Sequence, residues 1–137
     1  MGNQLKLPPF GKFLKALHDA GVQTGTARGF WGGVTAEGEI VVTAWEDDNN
    51  GTGRFSIFRP LTNHGGLKTQ WAVGNIRVGT EVKLILLRQR GKEVLGEGGR
   101  SVKDASLMPG KWRVAEILSG DVDHRPKATV EPAEQNA

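Results

Sequence analysis

The chain has 137 residues, 18 Lys or Arg against 15 Asp or Glu, and 37% hydrophobic residues, which is room for one core and a formal net charge of +3. Cysteine is absent, which excludes a disulfide framework, a thiolate zinc site and a thiol nucleophile. The stretch from Met1 to Pro9 has no apolar signal core and no run nears the ~18 apolar residues of a membrane span, so the expectation is a soluble cytoplasmic protein.

Taken in order, Pro8-Pro9 opens a short amphipathic helix expected over residues 9–20. Phe10, Phe13, Leu14 and Leu17 recur at helical spacing, Lys12, Lys15 and Asp19 face away, and Gly21 is the expected stop. Two strand-like runs follow, Ala27 to Thr35 and Glu39 to Trp45, joined by Ala36-Glu37-Gly38 into an antiparallel hairpin. Gly29, Gly32 and Gly33 inside the first run predict a bulge or strong coiling. Asp47 to Gly53 reads as a turn. Arg54 to Arg59 is a third strand, with Phe55 and Ile57 on one face, Arg54, Ser56 and Phe58 on the other, and Pro60 as its end.

Asn63-His64-Gly65-Gly66 is a loop, and a short helix is expected between Leu67 and Ile76 with Leu67, Trp71 and Val73 inward. The strongest strand runs from Glu81 to Gln89. Arg90-Gly91-Lys92 reverses the chain into a short strand, Glu93 to Leu95, and the Gly96 to Arg100 loop follows. Met108-Pro109-Gly110-Lys111 is a turn into the expected final strand, Trp112 to Leu118. After Ser119, two prolines and scattered charges without apolar periodicity predict a flexible tail over 119–137. The expected organisation is one compact domain over 1–118. It is mainly β (α+β), a small curved or closed antiparallel barrel with one N-terminal helix. The strand order is compatible with an OB-like (oligonucleotide-binding) barrel, and equally with other small barrels or a half-open curved sheet.

Charge is unevenly spread. Residues 37–48 hold five acids and no base, whereas Arg54 to Arg113 hold twelve Lys or Arg against four acids, a local balance of +8. A basic middle between acidic segments fits a face for a polyanion. Within it, guanidinium groups alternate with aromatic rings. Phe58 is the foremost base-stacking candidate with Trp31 and Trp45 second, while Arg54, Arg59, Lys68, Arg88, Arg90 and Lys92 are placed to follow a phosphate backbone. His64 and Lys68 beside Gly65-Gly66 suggest a phosphate loop, although a plain turn accounts for the same residues. Trp45, Trp71 and Trp112 are read as core.

Three function classes follow. The leading expectation is a non-enzymatic binder of nucleic acid, single-stranded DNA or RNA, needing no cofactor and no metal. A second is a protein-interaction module or an inhibitor of a nucleic-acid enzyme, since exposed aromatics and arginines also make interface hot spots. The third is a metal-dependent nuclease using Glu46-Asp47-Asp48 and Glu81-Val82-Lys83, with loose spacing for that chemistry. His18, His64 and His124 lack ligand spacing for zinc.

Overall fold

The computed structural model describes residues 9–25, 32–46, 53–58, 67–89, 102–118 and 127–133. In chain order the elements are α1 (Phe13–Ala20), β1 (Gly32–Val34), β2 (Ile40–Trp45), β3 (Phe55–Phe58) and α2 (Leu67–Ala72). They continue with β4 (Glu81–Gln89), β5 (Val102–Leu107), β6 (Trp112–Leu118) and β7 (Lys127–Pro132).

The two most aliphatic runs lie side by side at the centre. β2 and β4 pair in parallel from Ile40↔Val82 to Trp45↔Leu87. Parallel neighbours are buried on both faces, which is why these strands read as continuous apolar runs rather than as clean alternation. The antiparallel expectation is corrected here: the sheet is mixed. Its strand order is β1-β2-β4-β6-β7-β3, with β5 also paired to β4. The second edge of β4 is shared, by β6 at its start (Glu81↔Arg113) and by β5 along its end (Ile85↔Leu107 to Gln89↔Val102). β3 comes alongside β2, but the two exchange no ladder among the described residues, so the sheet is curved and not closed.

Parity along β2 and β4 sends side chains into two cores. Ile40, Val42, Val82, Leu84 and Leu86 meet Phe55, Ile57, Trp112, Val114, Ala128 and Val130 where the sheet curls over itself. Phe55 and Trp112 meet edge to face there, 5.8 Å between ring centroids. On the other side Val41, Trp45, Ile85 and Leu87 are covered by Ala16, Leu17 and Ala20 of α1. Gly21 ends α1 in the left-handed region at φ +100°, and the Lys83 ammonium donates to the last helical carbonyl, that of Ala20, at 2.9 Å. Gly32 is fixed by proximity. A Cβ built on it would stand 2.4 Å from the Val41 carbonyl oxygen and 2.5 Å from Leu67 Cδ2.

Several expectations change. Phe10 precedes the helix instead of belonging to it. α2 ends at Ala72, with Leu67 buried and Trp71 partly buried, whereas Val73 is 62% exposed rather than inward. β5 occupies a segment where no strand was expected. The expected flexible tail holds β7, inserted between β6 and β3, with Ala128 and Val130 fully buried. β6 is therefore not the last strand. The expected strand at Glu93 to Leu95 and the loop at Gly96 to Arg100 lie outside the described residues.

Candidate nucleic-acid interface

β3 is built by alternation: Phe55 and Ile57 are 2% exposed and face the core, while Ser56 is half-buried on the outward side. Register then decides what shares that outward side. Phe55 aligns with Val130, so Arg54 comes beside Glu131; Glu131 aligns with Arg113, and Arg113 with Glu81. The result is one row of alternating charge across four strands. Arg54 Nε donates to Glu131 Oε1 at 3.0 Å, and Arg113 Nε donates to Glu131 Oε2 at 2.8 Å. At the far end Lys111 Nζ lies 3.6 Å from Glu81 Oε1.

Exposure separates the signs. The side chains of Arg54 and Arg113 are 43% and 42% exposed, and that of Glu131 only 13%. Both cations therefore reach solvent, with the anion lying deeper. The hydrogen bond from Arg113 holds the Glu131 carboxyl below its ordinary value; burial opposes it, and the hydrogen bond from Arg54 adds to the lowering. α1 does not lie over this half of the sheet; its contacts are with β5 and β4. Two registers further along, the backbone of Phe58 pairs with that of Lys127, whose strand neighbour on β6 is Leu118.

Arg88 is in a different place. It is seven residues beyond Glu81 on β4, roughly 23 Å at strand rise. By parity it shares the face of Val82, Leu84 and Leu86, opposite to that of Glu81. Its guanidinium makes a two-pronged pair with Asp104, both bonds 2.8 Å, and lies 4.2 Å from the centroid of the Phe10 ring. Beside it Gly11 and Ala105 exchange backbone hydrogen bonds at 2.8 and 2.7 Å, and Ser106 Oγ donates to the Pro9 carbonyl at 3.0 Å. This arginine fastens the N-terminal segment to β5. The pair with Arg88 also holds Asp104 below its ordinary value.

Of the other expected site residues, Lys68 is on α2 and Phe58 on β3, each placed by its backbone. Trp31, Arg59, His64, Arg90 and Lys92 lie outside the described residues, as do the loop at 63–66 and Asp47-Asp48. Trp45 and Trp112 are core, at 8% and 2% exposed, and Trp71 packs against the core. Glu81 and Lys83 line a shallow cleft with Glu39 and Lys111, about 450 Å³ of empty space open to solvent. Lys83 Nζ is 3.0 Å from Glu39 Oε1, so the acid and lysine that suggested metal chemistry each have a counter-charge. Among the described residues no three His, Cys, Asp or Glu side chains gather as metal ligands would.

Sequence reasoning missed Arg113 and Glu131. The first was visible as the outward member of Trp112-Arg113-Val114. The second was hidden by its assignment to a tail. Comparison with protein-family models, curated proteins and solved structures gives no match to this chain.

Proposed function

We propose that this protein is a non-enzymatic nucleic-acid-binding protein that holds single-stranded DNA or RNA on the outward face of β6, β7 and β3. One observation carries the reading: Arg54 and Arg113, both more than two-fifths exposed, flank a single recessed carboxylate. Two guanidinium groups on the strands either side of β7 suit the forked anionic oxygens of a phosphodiester backbone. Phe58, on β3, is the base-stacking member of this reading. The curl that brings β3 toward β2 supports an OB-like platform, and a cytoplasmic setting belongs to the same proposal.

The test is fluorescence anisotropy with labelled single-stranded and duplex oligonucleotides at two salt concentrations, comparing wild type with Phe58→Ala. Salt-sensitive binding of single strands, weakened by the substitution, is the expected result. A folded wild type that binds neither probe at low salt refutes the reading. One observation favours the second class, a protein-interaction module: Val73 and Val78 are 62% and 63% exposed at the end of α2 and before β4. A stable protein partner that resists nuclease treatment and is lost with Val73→Ser would replace the first reading.

A further inference from the structure

We infer that Arg54 and Arg113 form a two-arginine seat for one backbone phosphate, with Glu131 as the built-in counter-charge that orients both guanidiniums and holds the affinity down. The inference rests on the nucleic-acid reading and assigns the residues and their division of labour.

Stoichiometry separates the two arginine pairings. Arg88 and Asp104 are one cation to one anion, in a two-pronged pair that leaves no net charge. Glu131 has one carboxylate for two guanidiniums, and the row goes on to Glu81 with Lys111 beside it, so Arg54, Glu131, Arg113, Glu81 and Lys111 together retain a charge of +1. Each arginine meets Glu131 through Nε, and a guanidinium has five N–H donors in a planar fork. One oxygen of Glu131 goes to each arginine, which fixes the two forks relative to one another. Ordering two long side chains in advance removes part of the entropy cost that a ligand would otherwise meet. The strands that hold them are anchored from behind by Phe55, Trp112 and Val130, all 2% exposed or less. A carboxylate below the seat also repels an arriving phosphate, so the same residue that orders the site weakens it. That is the signature of a surface tuned for reversible attachment.

Glu131 is a positioning residue, and its substitution separates the two effects. The experiment titrates a labelled oligothymidylate against wild type, Arg54→Gln, Arg113→Gln and Glu131→Gln, each checked for native circular dichroism, over a series of salt concentrations. Each arginine variant is expected to bind about 3- to 10-fold more weakly and to lose part of the slope of log affinity against log salt, the two together losing no more than about 0.7, the value for the one single-strand phosphate they share. Glu131→Gln is expected to bind several-fold more tightly with an unreduced slope. If wild type binds but Arg113→Gln changes neither affinity nor slope, the seat is refuted and the nucleic-acid reading survives. Weaker binding by folded Glu131→Gln refutes the role given to the carboxylate. If wild type does not bind the oligonucleotide at all, the nucleic-acid reading fails, and inorganic phosphate decides the seat. Saturable shifts of the Arg54 and Arg113 Nε–H resonances with phosphate, absent with chloride at equal ionic strength, uphold it as an anion site. Equal responses to the two salts overturn it.

Discussion

Val130→Ala tests the least expected element of the fold. Val130 is fully buried in β7, with Phe55 of β3 opposite on one side and Val114 of β6 on the other, themselves 2% and 0% exposed. Removing its two methyl groups forfeits about 1.6 kcal/mol of transfer free energy at ~0.8 kcal/mol each. The flanking side chains come from two different strands and cannot both close on the gap, so a residual cavity on the order of 40 Å³ adds about 1 kcal/mol. The expected loss is thus about 2.5 kcal/mol, a large share of the total for a domain of this size. Urea unfolding followed by tryptophan fluorescence reads it directly, because Trp112 lies in the same core and reports its opening. The midpoint falls at an unchanged slope, and the melting temperature drops by roughly 10 °C. A companion chain ending at Leu118 loses both the partner of β6 and the sole described ladder of β3, and is expected not to fold cooperatively. A loss below about 0.5 kcal/mol for Val130→Ala would refute the placement of β7, since that is the range of a surface change.

Two further outcomes follow from the geometry. Gly32→Ala brings a methyl group against the Val41 carbonyl oxygen and Leu67 at a backbone φ of +149°, so it is expected to cost upwards of about 2 kcal/mol in urea unfolding and to loosen α2, and a neutral effect would contradict the close approach of β1 to that helix. Asp104 and Glu131 both titrate below their ordinary values of 3.8 and 4.5 when folded, because arginines donate hydrogen bonds to them. A depressed folded value means stability that is complete above the ordinary value and is lost as pH falls through the folded one. Wild type is therefore expected to lose stability progressively below about pH 4.5, and the Asp104→Asn, Glu131→Gln double variant to show a flatter acid limb in the same urea titration; identical limbs would contradict the two pairings.

The parts of this fold that were legible are those whose own residues carry the pattern. β4 was placed to the residue because its run is long and aliphatic, and β3 because Phe55 and Ile57 alternate with polar neighbours. β5 was not, since Val102-Lys103-Asp104-Ala105-Ser106-Leu107 has no apolar period. Asp104 is paired with Arg88 across the ladder, and the inward Ala105 makes its backbone bridge to Gly11. β7 has only Ala128 and Val130 to show, between prolines and charges, and is a strand because β6 and β3 offer it two edges. The parallel pairing of β2 and β4 requires a crossover through β3 and α2, which no local pattern reveals. The site divides in the same way. Arg54 was visible from alternation, but its companion across β7 exists only through register. Parity held an unused signal: Arg88 counts with Leu84 and Leu86, on the opposite face from Glu81.

Asp104 and Glu131, the two carboxylates paired with arginine among the described residues, show why basic residues close in sequence do not make one surface. Arg88 and Asp104 meet on the face that turns toward Phe10, and their function is to close the N-terminal segment over β5 with matched charge. Exposed ion pairs contribute little to stability, about 0–1 kcal/mol, so the fastening is shared with the Gly11–Ala105 bridge and the ring beneath the guanidinium. Glu131 meets two arginines on the half of the sheet that α1 leaves open. There one arginine from each flanking strand takes one oxygen of the carboxylate, which clamps β7 between β6 and β3 and leaves two cations on a single anion. Both cations reach solvent while the carboxylate lies deeper, the arrangement from which the proposed function takes an anionic ligand. On the proposed function the exposed pair sets the sign of the ligand and the register of β6, β7 and β3 sets its position.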